Sequence, residues 1–510
     1  MTVEPPSDPA DVGRELQRHR ELRLRLEAAI LPLATSLDGR GFVYHAPIAS
    51  DLRVGGYAAL ETDGGTLLGQ ITTRSLEERQ SPELELGGDP DDRTTAVRAS
   101  TSVRMTTGTG VVLGGGASPF HNADLRPATS AEVDTLLGRL APARAQLEIG
   151  ETAVEGVPAR LDAGGFSRHT FLCGQSGSGK TYALGVLLER LLLETRLRLL
   201  VFDLNSDFVG LGEVRAGADP ALAERFGEVA HKVRVLRSDN PAGSRLSLRF
   251  ADLPAHVQAA TLQLDPVGEP VEHARYLSLF AESLAGAAVG DLIARLETSE
   301  DPIDRRLGSR FRNLGLLDWS LWPRPGETPV LDELARDDWR ALVVDLGTVE
   351  RLEQRSLLAA SILDRLWSRR TLREPLLVVV DEAHNLCPPR ADNPLGALAL
   401  DHLARIAAEG RKYGLYLLLS TQRPQQIHEQ VLSQCDNLVL LRMNSSADLG
   451  RLEHVFSAVP SSFLEQATGF RQGEALVAGK HVPHPLFLDF GARITTEGGA
   501  DVPLDWAAPL

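Results

Sequence analysis

The chain has 510 residues, 43% hydrophobic and 24% charged, with a formal net charge of -16, the composition of a soluble globular protein with material for two or three domains. The acidic balance excludes a broadly basic surface, so any contact with nucleic acid must come from local basic loops, which oligomerisation could gather into a ring. Cys173, Cys387 and Cys435 show neither CxxC spacing nor a histidine cluster around them, so neither a disulfide framework nor a zinc site is suggested. No window approaches eighteen uninterrupted apolar residues, and a cytoplasmic chain with no membrane span is expected.

In chain order, residues 11–36 read as one helix, with Leu16, Leu22, Leu24, Ile30 and Leu33 among many charges. It lies in an N-terminal helical arm over 1–38, serving either as an oligomer contact or as a cap on the next domain. Over 39–125 the pattern changes to short β-type runs: "GFVYHAPI", "YAALE", "LLGQITTRSL", "TAVRASTSVRM" and "GVVLGG". Asp63-Gly64-Gly65 between two of them is hairpin chemistry, and strands at this spacing predict a small β-barrel or sandwich. A helix is expected near 130–145, with Ser130 and Glu132 in its first turn.

From 168 onwards the rhythm is buried strand, loop, helix: "HTFLCG", "RLLVFDL", "KVRVL", "ALVVDLG", "LLVVVDE", "LYLLLST" and "NLVLLRM". Near-continuous apolar strands alternating with helices predict a parallel sheet covered on both faces. The rhythm predicts an α/β fold over 126–245 and 341–510, interrupted by a helical insert at 246–340, and the motifs that follow make it a RecA-like P-loop (ASCE) motor domain.

The first motif, "GQSGSGKT" at 174–181, follows an apolar strand and opens a helix striped with Leu184, Leu187, Leu188, Leu191 and Leu192. That context makes it a P-loop. Gly174, Ser176, Gly177, Ser178, Gly179, Lys180, Thr181 and Tyr182 are the expected nucleotide contacts. Backbone N–H groups at the positive end of the helix would wrap phosphate. Lys180 would reach the β- and γ-phosphates of ATP and Thr181 would hold Mg²⁺. Lysine occurs only at Lys180, Lys232, Lys412 and Lys480, so a compact ammonium in the loop is a marked choice.

The second motif, "PLLVVVDEAHNLCP", ends an apolar strand in two acids, where open α/β sheets place ligands. Asp381 would bind the Mg²⁺ water shell, and Glu382 would polarise the attacking water. A DEAH string also occurs in superfamily 2 helicases, but those carry a second motor domain that is missing here, so the second half of each active site would come from a neighbouring subunit. The third segment, "EGRKYGLYLLLSTQRPQQ", offers Gln422 at a strand tip to sense the γ-phosphate or orient the water. It also offers Arg411, either a trans-acting arginine finger or a helix-end cation on the macrodipole. Arg442 is a second, weaker candidate. Asp203, in "VFDLNSDF", is either a turn former or a supporting residue.

These motifs, above all "EGRKYGLYLLLSTQRPQQIHEQVLSQCDNLVLLRM", resemble the HerA branch of the HerA-FtsK ATPases, and the β segment resembles the HAS barrel that precedes the HerA motor. Ser206 and Asp207 depart from the pattern, where the family more often has Gly-Glu. The resemblance implies a homohexameric ring that hydrolyses ATP between subunits and moves double-stranded DNA, with Arg411 as the trans finger. It also implies a partner, a NurA-like nuclease or, in anti-phage defence, a SIR2-type or other effector. Two other readings fit the motor motifs: a ring-shaped ATP-binding scaffold that assembles and gates an effector without moving DNA, and a conjugation or secretion ATPase, which would call for membrane attachment. Arginines of "RRLGSRFRN" at 305–313 could line a pore or simply form a solvated helix face.

Overall fold

In the computed structural model, residues 9–80, 84–86, 97–99, 102–116, 118–240, 245–283 and 289–499 are described. They form two units. Short strands with alternating burial build the first. Leu33–Ser36, Gly41–Ala46, Tyr57–Thr62, Gly65–Ile71, Ser102–Val112 and Phe120–Pro127 form an antiparallel sheet, which closes because Gly41–Ala46 pairs with both Leu33–Ser36 and Ser102–Val112. The result is a six-stranded barrel, and Ser75–Gln80 adds to the long strand outside the ring.

The barrel interior is small, holding Phe42, Tyr44, Ala58, Leu60, Ile71 and Leu125. Two glycines make room for one ring: a Cβ at Gly110 would lie 2.2 Å from Phe42 Cζ and one at Gly69 2.5 Å from Phe42 Cε1. Any side chain there would force Phe42 out of a close-packed core.

Three expectations change. The N-terminal helix runs Pro9–Ala28 and does not continue to 36. Pro32 disfavours helix in the residue before it, and Leu33–Ser36 becomes a barrel strand with Ala34 and Ser36 turned inward. The "TSVRM" and "GVV" runs are one strand, Ser102–Val112, while part of "TAVRAS" lies outside the described residues. The helix near 130 ends at Leu140, before Pro142, with Thr129 and Glu132 forming a capping box. It belongs to the first unit, so the motor unit begins at about Pro142, later than the expected boundary at 126.

The second unit is built on an eleven-stranded sheet. Its centre is the run Cys435–Leu440, His169–Cys173, Leu415–Thr421, Leu376–Val380, Arg198–Asp203, Ala341–Asp345 and Val233–Leu236, all parallel. These are the seven runs read as buried strands. Antiparallel strands Glu474–Ala478 and Leu486–Phe490 extend it beyond Cys435–Leu440, and Gln146–Thr152 and Pro158–Asp162 complete that edge. The 246–340 stretch is helical, including Ala255–Thr261, Pro270–Ser283, Val289–Glu297 and Pro302–Asn313, and packs around Tyr276, Phe250, Phe311 and Leu316. Among the described residues no helix is long and apolar enough to cross a membrane.

Candidate nucleotide site

The fully buried strand His169–Cys173 delivers the chain to the glycine loop. Gly177 (φ 72°) and Gly179 (φ 90°) adopt the left-handed conformation that residues with a Cβ enter only at a cost. A Cβ on Gly174 would sit 2.6 Å from Ser178 Oγ and 2.8 Å from Leu441 Cβ. The loop therefore curls tightly into the helix Lys180–Glu194. The first N–H groups of that helix have no partner within it, and its dipole end is positive, which suits an anion. Arg442 completes the rim: its Nη2 donates to Gly177 O at 3.1 Å, and its carbonyl accepts from Gln175 N at 2.9 Å.

Parallel register brings the acids to this loop. Val380 lies beside Leu419 on one side and Phe202 on the other, so Asp381 and Glu382 emerge between Ser420 and Asp203. Lys180 Nζ donates to Asp381 Oδ1 at 2.8 Å and to Ser420 Oγ at 3.1 Å, and lies 3.2 Å from Glu382 Oε1. Ser420 in turn donates to Asp381 Oδ1 at 2.8 Å, and Gln422 Nε2 to Glu382 Oε1 at 2.8 Å. His384 Nδ1 stands 3.3 Å from Glu382 Oε2 and 3.2 Å from Thr421 Oγ1. Glu382 itself sits at φ 44°. Such backbone strain in a residue with a side chain costs about 1–3 kcal/mol and clusters at functional sites.

Charge at this end of the sheet is crowded. Burial works against ionisation of Glu382, yet His384, Lys180 and Gln422 together hold its carboxyl down at about 2. Burial also opposes the charge on Lys180, but the two carboxylates outweigh it and raise its pKa. Burial pushes Asp203 up to about 7, with Asp381 and Asp345 adding to the rise. It pushes Asp207 up to about 6, with Asp381 and Glu382 adding. The Lys180 ammonium thus faces three carboxylates, those of Asp381, Glu382 and Asp207. Asp381 Oδ2 is buried without a hydrogen-bond partner among the described residues. A hard divalent cation takes such oxygens together with hydroxyl and water, so Asp381 and Thr181 could hold Mg²⁺. Thr181 Oγ1 lies 3.5 Å from Asp207 Oδ2, which places Asp207 at the same spot.

The other expected residues divide. Gln422 joins Glu382 as above. Asp203 accepts the N–H groups of Asp207 at 3.0 Å and Phe208 at 2.8 Å, so its carboxylate shapes the turn that carries Asp207. The Tyr182 hydroxyl is taken by Arg493 N at 2.8 Å, so it is engaged with the C-terminal segment and not turned to the loop. Arg442, weighed as a second finger, lies on its own chain's loop. Arg411 follows the helix Pro394–Glu409 in the turn Gly410–Tyr413, which leads into the amino end of the strand Leu415–Thr421. The loop and acids stand at the carboxyl ends, a strand length of about 16 Å away. The ion pair recorded there is Arg411 Nη1 to Asp436 at 3.4 Å.

Sequence reading missed Ser420 and His384, and it placed Asp207 only in the turn after its strand. Ser420 had a signal, a hydroxyl breaking the apolar run "LYLLLST" one strand from the acids. His384 stood within the quoted "DEAH".

Residues 147–301 match the family DUF87, the central domain of helicase HerA. A probable helicase of Methanocaldococcus jannaschii is 24% identical over 374 residues, covering 70% of this chain and 69% of its own. The DNA double-strand break repair helicase HerA of Sulfurisphaera tokodaii is 23% identical over 396 residues, covering 72% of this chain and 73% of its own. The VirB4 structure from Thermoanaerobacter pseudethanolicus superposes with a TM-score of 0.50 at 16% identity, over 69% of this chain and 97% of that one, a likeness of fold. With the glycine loop, the paired acids and the parallel sheet in this arrangement, the chain is a P-loop ATPase with a HerA-like motor domain.

Proposed function

We propose that the chain hydrolyses ATP with Mg²⁺ at the interfaces of a homohexameric ring and uses the cycle to move double-stranded DNA, in concert with a NurA-like nuclease or a SIR2-type or other defence effector. The observation that carries this reading is the separation of Arg411 from its own chain's loop and acids. A cation at the opposite end of the sheet can reach phosphate only in a neighbouring copy, so a lone chain holds two half-sites.

In the proposed cycle the loop amides and Lys180 bind the phosphates. Lys180 must leave its contacts with Asp381 and Glu382 at least in part, and the incoming phosphate charge replaces them. Mg²⁺, held by Thr181 and Asp381, would neutralise charge on the β- and γ-phosphates. Glu382, kept ionised by His384 and Gln422, accepts a proton from the attacking water, and Gln422 orients it. Arg411 of the adjacent subunit stabilises charge on the transferring phosphoryl. DNA as the moved polymer is supported by the name of the Sulfurisphaera relative, a DNA double-strand break repair helicase.

One observation favours a second reading, an ATP-binding scaffold that gates an effector. The arginines of the helix Pro302–Asn313 are engaged: Arg306 with Glu272 at 3.1 Å, Arg312 with Glu297 at 2.5 Å, Arg310 with Glu269, and Arg305 with the carbonyls of Ser299 and Glu300. That cluster is an ion-paired face and offers little free charge to a duplex. The test is the ATPase rate of the purified chain, sized by light scattering, with and without linear double-stranded DNA. A hexamer stimulated severalfold supports the translocase, and a hexamer indifferent to DNA supports the scaffold.

A further inference from the structure

Away from the nucleotide site, three helices of the motor unit bring together two imidazoles and a carboxylate. His256 lies on Ala255–Thr261, Asp364 on Leu352–Ser368 and His402 on Pro394–Glu409. Their ligand atoms lie within 4.8 Å of one another. His256 Nε2 and His402 Nε2 each stand 3.5 Å from Asp364 Oδ1. That is beyond a normal N–H···O bond, so the trio is not explained as a hydrogen-bonded relay. It does match the edge of a tetrahedral metal site, where bonds of about 2.0–2.1 Å put ligand atoms about 3.3 Å apart.

The surroundings fit an ion with one open position. The His402 side chain is 6% exposed and Asp364 17%, while His256 is 53% exposed and opens the trio to water. His402 Nδ1 is buried without a hydrogen-bond partner among the described residues. A site lacking that outer bond is expected to bind about 10–100-fold more weakly than one that has it. Two nitrogens and one carboxylate suit zinc and its neighbours better than magnesium or calcium.

We infer that His256, Asp364 and His402, with a water in the fourth position, form a binding site for a divalent transition-metal ion of the zinc class. Cysteine spacing offers no hint of it, because the ligands are imidazole and carboxylate drawn from three helices. The bound ion ties Ala255–Thr261 to Leu352–Ser368 and to the helix that ends just before Arg411.

The test is titration of the untagged full-length chain with Co²⁺ in excess Mg²⁺, which occupies oxygen-rich sites, followed by visible absorption. A saturating tetrahedral cobalt band is expected, displaced by Zn²⁺ and also present in Lys180→Ala, whose nucleotide site is impaired. His256→Ala, an exposed change that leaves the fold intact by circular dichroism, should lose the band and weaken Co²⁺ binding at least tenfold; Asp364→Asn should do the same. Absence of a saturating band in the wild-type chain, or equal affinity in His256→Ala, overturns the assignment.

Discussion

The two ends of the parallel sheet differ in how they hold charge. At the carboxyl end Lys180 is 4% exposed and locked among Asp381, Glu382 and Ser420. At the amino end Arg411 is 41% exposed and its partner Asp436 36%, at 3.4 Å. An exposed pair of the second kind is worth about 0–1 kcal/mol, so Arg411 can exchange Asp436 for a phosphoryl group at little cost. Removing one partner of a buried pair costs about 3–5 kcal/mol, so Lys180 can turn from the acids only when other charge replaces the contact. In the proposed mechanism the buried end waits for a nucleotide and the exposed end is donated to a neighbour.

The largest expected effect comes from the buried end. Lys180→Ala should bring ATP turnover to background and also lower stability by about 3–5 kcal/mol, because Asp381 and Glu382 lose their cation. Phosphate release and thermal melting read the two effects, and normal turnover would remove the loop from the mechanism. Arg411→Ala should lower turnover about 10³-fold or more while changing stability by less than about 1 kcal/mol. A large loss of stability would mark Arg411 as structural. Glu382→Gln should slow hydrolysis about 10²–10⁴-fold with nucleotide binding kept, and an equal loss of binding would contradict its role toward water. Ser420→Ala, which removes one hydroxyl from the Lys180–Asp381 contact, should cost about 1 kcal/mol of stability, checked by denaturant unfolding.

The smallest effect is on pH dependence. Asp203 and Asp207 titrate at about 7 and about 6 in the fold, against an ordinary value of 3.8. The folded chain therefore keeps protons that the unfolded chain has released, and stability falls as pH rises from near 4 to about 7, then levels off. Melting of the nucleotide-free chain across that window should show the decline, with Asp207→Asn showing a shallower one. A flat profile in the wild-type chain would mean that these acids ionise freely.

The seven central strands were legible because each carries a mostly apolar run in the strand-loop-helix rhythm, and the loop because its spacing sat between such a strand and a leucine-striped helix. Glu382 and Gln422 were legible as residues at strand tips, but their contact depends on register between strands distant in sequence. Arg442 shows the same limit: its distance in sequence from the loop gives no sign that it rests on Gly177. The end of the first helix was readable in Pro32 and was overrun because the leucine pattern continued to Leu33. His256, Asp364 and His402 carry no spacing signal, since their helices meet only after the insert folds back on the motor unit.

The central claim is that Arg411 completes a site on another copy, and mixing two inactive variants tests it most directly. Lys180→Ala keeps the arginine and Arg411→Ala keeps the loop, so ATPase activity is measured for each alone and after co-assembly. If Arg411 acts between subunits, mixed assemblies contain interfaces with an intact loop facing an intact arginine, and turnover returns. If activity in the mixture stays at the level of the two variants alone, although size-exclusion and mass analysis show that they have mixed, Arg411 does not act in trans and the account is contradicted.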